Sequence, residues 1–145
     1  KKREMKSDKK VVIVTHGQLA DGLVSALQII VGELPQVKTV CGYTSSDFNL
    51  DETVQEIMNN HNFATHDLVV CTDMMGGSVN NGFVKYLVQY PFHLITNTNL
   101  AFLVDLLLTP GGINKEMLTK KAKEELVSVK YINSMVENFH EADDL

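Results

Sequence analysis

His16 and Asp73 are the residues whose types and positions in this sequence best suit catalysis. His16 follows the β-branched run Val11–Thr15, and Asp73 follows a second apolar run, Leu68–Thr72. If the strands are ordered 2-1-3-4, the order reverses between these two runs, and ligands bind beyond the carboxyl ends of strands at such a reversal. A carboxylate that accepts from one ring nitrogen fixes the imidazole tautomer and leaves the other nitrogen free as a nucleophile. The pair therefore predicts an activated histidine.

A glycine-rich turn comes shortly after Asp73. Gly76, Gly77 and Ser78 open a predicted helix, and such a turn offers backbone N–H groups and the positive end of the helix dipole to a phosphoryl group. These donors also offset the repulsion that Asp73 would exert on a phosphate carried by His16. Glycine pairs more often mark ordinary turns, and an Asp before a loop often bonds its own backbone, so each feature alone is weak. Together they predict a histidine that is phosphorylated.

Two neighbours of His16 complete the candidate site. Thr15 has a hydroxyl group that can donate a hydrogen bond nearby, and Gly17 permits close approach of the backbone. The remaining histidines match no metal-binding spacing, so we expect no metal ion and expect these side chains to face solvent or to bond locally. They are His61, His66, His93 and His140.

Four β-branched runs alternate with segments of helical periodicity, which predicts an α/β fold with a doubly wound, mainly parallel sheet of order 2-1-3-4. The third helix is predicted to continue to Val88 with its apolar side chains packed inward. The predicted strands are Val11–Thr15, Val37–Gly42, Leu68–Thr72 and Phe92–Thr96. Helices are predicted to begin near Leu19, behind a cap at Asp47 or Asn49, behind a cap at Ser78, behind a cap within Asn97–Asn99, and at Asn114.

The C-terminal part of the sequence suggests an interface. Alternation from Val127 to Ile132 predicts a short fifth strand outside the main parallel set. The fourth helix, Leu100–Leu108, is apolar almost all round, which favours burial against a second copy of the chain. We expect one domain over residues 11–132, preceded by a flexible lead-in over residues 1–10 and followed by a tail over residues 133–145.

Composition argues against two classes of protein. The 145 residues have a formal net charge of −5, whereas general nucleic-acid binding depends on Lys and Arg contacts to phosphates. No apolar run approaches the length of a membrane span, so we expect no insertion into a membrane. Cys41 and Cys71 have neither the spacing of a disulfide framework nor that of a metal site. A cytoplasmic location therefore fits best.

Three segments together resemble the IIA domains of the mannose family, which belong to the phosphoenolpyruvate-dependent sugar phosphotransferase system. The first is Val12–Gly17 with Leu19–Leu23, the second is Thr72–Asn81, and the third is Asn97–Leu100. They occur in order and at fitting spacing, so the resemblance is specific over roughly residues 11–108.

The resemblance implies that His16 accepts a phosphoryl group from the phosphohistidine carrier HPr and passes it to a histidine of a IIB partner, without a metal or an organic cofactor. It implies that Asp73 orients His16 and that the loop Gly76–Ser78 receives the phosphate, mainly through backbone amides. It also implies a homodimer whose terminal strand crosses to the other subunit.

The sequence departs from the family pattern in three places. Met75 stands where an aromatic residue is common, and Val79 stands where proline is common. Asn97 and Thr98 replace a glycine-containing turn, which leaves the neighbouring contact surface less defined.

Two other functions share this fold. One is a regulatory IIA-like domain of a transcription activator, in which phosphorylation of His16 is a signal. Such activators carry ATPase and DNA-binding segments, which this sequence does not show. The other is the phosphocarrier subunit of a dihydroxyacetone kinase, in which the phosphate goes to a bound nucleotide. A ligand-binding domain without catalysis is a lesser alternative.

Overall fold

The computed structural model describes residues 8–136. Within them the chain is built around one four-stranded sheet. The strand order is β2-β1-β3-β4, and every neighbouring pair is parallel. The predicted α/β fold and the order 2-1-3-4 are therefore confirmed. Residues 1–7 of the expected lead-in and residues 137–145 of the expected tail lie outside the described residues. The strands are β1 (Asp8–His16), β2 (Val37–Gly42), β3 (His66–Thr72) and β4 (His93–Ile95).

Helices cover both faces of the sheet. They are α1 (Leu19–Val31), α2 (Leu50–Asn60), α3 (Ser78–Val84), α4 (Leu100–Leu108) and α5 (Lys115–Lys123). Three of them begin at asparagine caps, whose side chains accept from the backbone amide three residues on, at 2.8–3.0 Å. The capping residues are Asn49, Asn99 and Asn114. None of the helices within residues 8–136 combines the length and apolarity that a bilayer span requires.

The alternation of side chains along β1 divides the core in two. Val11 and Ile13 pack with α1 and α4 on one face, while Val12 and Val14 pack with α2 and α3 on the other. Burial on both faces explains why the strands are continuous apolar runs and not alternating ones. This parity also sends the side chains of Thr15 and His16 to opposite faces.

The third helix is shorter than its periodicity predicts. It ends at Val84, after which the amides of Tyr86 and Leu87 bond to the carbonyls three residues before them, at 3.0 and 3.1 Å. Because such turns rotate side chains by a different angle per residue, the 3.6-residue pattern no longer applies. Phe83 is buried as predicted, but Val88 is 91% exposed and its predicted inward packing is wrong.

The predicted strand over Val127–Ile132 is also wrong within the described residues. A 3-10 turn, Glu125–Val127, is followed by irregular backbone and then by helical residues 132–136. A strand needs a neighbour to satisfy its N–H and C=O groups, and the segment pairs with none of the four strands. Its alternation reflects only that Val127 packs against the core while Val129 faces solvent. Exchange of a C-terminal segment with a second subunit stays a prediction, because the described residues belong to one chain.

A buried lysine fixes the turn between α4 and α5. Lys9 is 2% exposed, and its Nζ donates to the carbonyls of Thr109 and Gly111 at 2.6 and 3.0 Å. Its register partner Asp67 accepts from the Ile113 amide at 2.9 Å. Burial lowers the pKa of Lys9, and this cost is offset by the two carbonyl bonds. The strand edge and the turn are thereby held together.

Candidate active site

His16 and Asp73 meet at the carboxyl edge of the sheet, as their strand positions predict. His16 is the last residue of β1, and Asp73 directly follows β3, the parallel neighbour of β1. Asp73 Oδ2 accepts from the His16 backbone amide at 2.8 Å and lies 2.8 Å from His16 Nδ1. The reversal of strand order thus brings together two residues that are 57 positions apart.

Ionisation of Asp73 decides which ring nitrogen carries the hydrogen. Burial alone would oppose ionisation and is the largest single influence, but the backbone bond, the ring bond and the charge of His16 together hold the pKa of Asp73 below its usual value. An ionised carboxylate only accepts, so Nδ1 must donate. In the neutral imidazole, Nε2 is then unprotonated, with a free electron pair. The His16 side chain is 43% exposed, against 11% for Asp73, so the nucleophile is accessible and its partner is not.

Two hydroxyl groups lie on the Nε2 side of the ring. Ser78 Oγ is 3.3 Å from His16 Nε2, and the phenol oxygen of Tyr43 is 3.0 Å from Ser78 Oγ. The Tyr43 ring also stacks on the imidazole, with centroids 5.4 Å apart and an interplanar angle of 23°. Sequence reasoning identified Ser78 but missed Tyr43. Its position in the sequence could have indicated it, because Tyr43 follows Gly42, which pairs with His16 at the end of β2.

The glycine-rich turn lies against the histidine. Gly76 has a φ of +79°, a conformation that glycine adopts without strain. Gly77 has an ordinary φ, but a Cβ there would lie 3.1 Å from Met74 Cγ and 3.4 Å from His16 Cε1. The Gly77 amide is engaged within the turn, where it donates to the Met74 carbonyl at 3.3 Å. The missing side chain therefore leaves open space beside Nε2.

Asn97 supports this turn from the loop after β4. Its Oδ1 accepts from the Met75 amide at 2.9 Å, and its own φ is +55°. Asparagine tolerates this left-handed conformation better than most residues, which explains how it substitutes for glycine here. The Asn97 side chain thus holds the backbone of the glycine-rich turn at Met75.

Thr15 and Gly17 stabilise the backbone on either side of His16. Thr15 is buried on the α1 side, and its Oγ1 accepts from the Ala20 amide at 2.9 Å, so it supports the start of α1 and does not face the imidazole. Gly17 has a φ of +61° and donates to the Gly42 carbonyl at 2.9 Å. Its conformation explains why glycine follows His16.

The other described histidines lie away from this edge. His61 Nε2 is 2.8 Å from the His66 carbonyl, and His66 Nδ1 is 2.8 Å from Thr65 Oγ1, which confirms local bonding. His93 begins β4 at the opposite edge, and His140 lies outside the described residues. Among residues 8–136, His, Cys, Asp and Glu form no group of three suited to a metal ion. Cys71 is fully buried, and burial raises the pKa of its thiol to about 12.

Comparisons with known proteins agree with this fold. A family model described as "PTS system fructose IIA component", where PTS is the phosphotransferase system, matches residues 10–124. A Klebsiella pneumoniae subsp. pneumoniae structure, described as a phosphoenolpyruvate-dependent sugar phosphotransferase system permease, shares 30% identity at a TM-score of 0.82. The match covers 94% of this chain and 99% of that chain.

Two further structures are less similar in sequence and support the fold. The PTS IIA protein associated with the fucose utilization operon of Streptococcus pneumoniae has 21% identity and a TM-score of 0.72, covering 92% of this chain and 99% of that chain. The mannose/sorbose specific IIA subunit of Enterococcus faecalis has 21% identity and a TM-score of 0.70, covering 86% and 94%. A search of curated proteins found no match.

Fold and site together define an α/β protein with a carboxylate-oriented histidine at the switch point of its sheet. The chain belongs to the mannose-type IIA component family of the sugar phosphotransferase system. Membership implies phosphotransferase activity in the general sense.

Proposed function

We propose that this chain is a histidine phosphocarrier that takes a phosphoryl group from HPr on His16 and passes it to a IIB component during sugar uptake. The observation that carries the proposal is the 2.8 Å contact between His16 Nδ1 and Asp73 Oδ2, which leaves Nε2 unprotonated at an exposed edge. Family membership supplies the class of reaction.

In this transfer, bonds form and break at only two side chains, His16 and the histidine of the carrier. The electron pair of Nε2 forms a bond to phosphorus while the phosphorus–nitrogen bond in the carrier breaks, and that bond's electron pair stays on the carrier's histidine. His16 keeps the hydrogen on Nδ1, so its ring becomes positively charged when the new bond forms. The Asp73 carboxylate, 2.8 Å away, stabilises this charge. Delivery to IIB is a second displacement, in which a IIB histidine bonds to phosphorus while the bond to Nε2 breaks and its electron pair returns to Nε2.

The phosphate on Nε2 then lies on the side of the ring that faces Ser78 and the glycine-rich turn, away from Asp73. We assign its contacts to Ser78 Oγ and to the backbone amides of Gly76 and Ser78. Asp73 already accepts from His16 and, through Oδ1, from the Met74 amide at 3.1 Å. These bonds reduce the repulsion that its negative charge exerts on the phosphate.

Incubation with labelled phosphoenolpyruvate, HPr and the general phosphotransferase enzyme tests the proposal. One acid-labile phosphate per chain is expected, and it should disappear in His16→Ala. The matched control is His66→Ala, which removes a histidine at the opposite edge and should label normally. Labelling of His16→Ala at the wild-type level would overturn the proposal.

The acceptor distinguishes this function from the alternatives with the same fold. Phosphorylated chain is offered either a mannose-family IIB protein or the ADP-loaded nucleotide subunit of a dihydroxyacetone kinase. We expect label to move to IIB. Transfer only to the nucleotide would assign the chain to the kinase, and transfer to neither would favour a regulatory role.

We also propose that the protein acts in the cytoplasm as a homodimer. Apolar side chains are exposed around α4: Ile30, Leu108 and Leu126 are more than half exposed. A surface of this kind is typical of a contact with another chain. Sedimentation equilibrium should give twice the mass of one chain, whereas the mass of one chain at micromolar concentration would contradict this assembly.

A further inference from the structure

Tyr43 contacts the proposed reacting residue in two independent ways. Its ring stacks on the His16 imidazole at 5.4 Å between centroids, and its hydroxyl lies 3.0 Å from Ser78 Oγ. Ser78 Oγ in turn lies 3.3 Å from His16 Nε2. Tyr43 therefore approaches both the imidazole face and the hydroxyl group next to the nucleophile.

The direction of each hydrogen bond follows from the ionised state of Asp73. Because Nδ1 donates to the carboxylate, Nε2 can only accept, so the single hydrogen of Ser78 must point at Nε2. Ser78 Oγ then accepts from the Tyr43 hydroxyl. The chain of donors runs from Tyr43 through Ser78 to His16 and ends at Asp73. Linked bonds of this kind polarise one another.

The backbone of Tyr43 is strained. Its φ is +62°, a left-handed conformation that is unusual for a bulky side chain. The ring is held there by an edge contact with Phe48, with centroids 4.9 Å apart and an interplanar angle of 66°. A strained, half-exposed aromatic residue at a reactive group points to a function that compensates for the strain.

We propose that Tyr43 is a positioning residue for phosphoryl transfer, a role that rests on the proposed function of His16. Its ring restricts rotation of the imidazole. When phosphorus bonds to Nε2, the Ser78 hydrogen loses its acceptor there and turns to a phosphoryl oxygen. The Tyr43 hydroxyl keeps Ser78 in place for this change. Loss of Tyr43 should slow acceptance of the phosphoryl group and shorten the lifetime of phosphohistidine, because water reaches the nitrogen–phosphorus bond more easily.

Two substitutions separate the ring from the hydroxyl. Tyr43→Phe keeps the stacking and removes the donor, and we expect an about fivefold lower rate constant at saturating phosphorylated HPr. Tyr43→Asn removes both and suits the left-handed backbone, so it should fold with a melting temperature near that of the wild type while losing about 20-fold in rate. Tyr90→Phe, in the turn before β4 at the opposite edge, is the control and should leave the rate unchanged.

The results distinguish this proposal from the one on which it rests. If the wild type labels on His16 and both Tyr43 variants keep its saturating rate constant, the role of Tyr43 is overturned and the phosphocarrier function stands. An effect confined to the KM for phosphorylated HPr also overturns it, since Tyr43 would then be only a docking contact. If the wild type itself fails to label, the phosphocarrier function fails and this role fails with it.

Discussion

Asp73 Oδ2 binds His16 at two points, the backbone amide and ring Nδ1, each at 2.8 Å. A single carboxylate oxygen therefore holds both the backbone at the end of β1 and the ring of its last residue, His16. Rotation of the imidazole would break the ring bond while the backbone bond keeps the carboxylate in place. The site is therefore oriented before any partner arrives, and its behaviour should depend on this carboxylate.

Asp73→Asn should lower the rate of His16 phosphorylation by about 10- to 100-fold, because it replaces a charge-assisted bond by a neutral one and no longer stabilises the positively charged ring. The measurement is the initial rate of labelling from phosphorylated HPr. Asp51→Asn is the matched control, since Asp51 pairs with Lys85 at 2.7 Å on the surface. An equal rate in wild type and Asp73→Asn would show that the carboxylate does not act on His16.

The stability contributed by Asp73 should depend on pH. Its pKa in the folded chain is lower than the 3.8 of an unperturbed carboxyl, so between the two values the unfolded chain binds more protons. The contribution is fully present above the unfolded pKa and is lost as pH falls through the folded one. Urea unfolding should show a difference between wild type and Asp73→Asn at about pH 5 that decreases as pH falls below about 4. A difference that grows as pH falls from about 4 to about 3 would contradict this assignment.

Gly77→Ala should slow phosphorylation several-fold, because the new methyl group would sit 3.4 Å from His16 Cε1 in the space beside Nε2. Gly22→Ala is the control: a Cβ at this helical position in α1 meets nothing within 4 Å. It should leave the rate unchanged and raise the free energy of unfolding by about 0.5–1 kcal/mol. Equal rates for Gly77→Ala and wild type would mean that the phosphate does not occupy this space.

Several features of the site were predictable from the sequence because they follow from strand parity and topology. His16 and Asp73 end neighbouring strands, so a parallel sheet of order 2-1-3-4 had to bring them together. Parity also assigns Thr15 to the α1 face, opposite His16, although its hydroxyl suggested a role in the site. The residue types indicated the chemistry, and the position of each residue along its strand determined the face of the sheet to which its side chain points.

Other features depend on backbone conformations that no pattern encodes. Tyr43 reaches His16 only because its φ is +62° after Gly42, and a bulky residue is not expected in that conformation. The alternation over Val127–Ile132 resembled a strand, but alternation does not supply a hydrogen-bonding neighbour.

Lys9→Met should destabilise the fold by about 2 kcal/mol, because it leaves the partly buried carbonyls of Thr109 and Gly111 without their donor. Thermal or urea unfolding measures the effect. Lys10→Met, at the next and exposed position of β1, is the control and should change stability by less than about 0.5 kcal/mol. Similar effects of the two substitutions would mean that Lys9 does not hold the turn.

The position of the phosphate on the imidazole shows whether Nε2 of His16 is the nucleophile. The phosphorylated chain, labelled with nitrogen-15, is examined by NMR for coupling between phosphorus and each ring nitrogen of His16. Because Nδ1 is committed to Asp73, we predict coupling to Nε2, with the hydrogen retained on Nδ1. Phosphate on Nδ1 of His16, or on another residue, would contradict the role of Nε2 as the nucleophile.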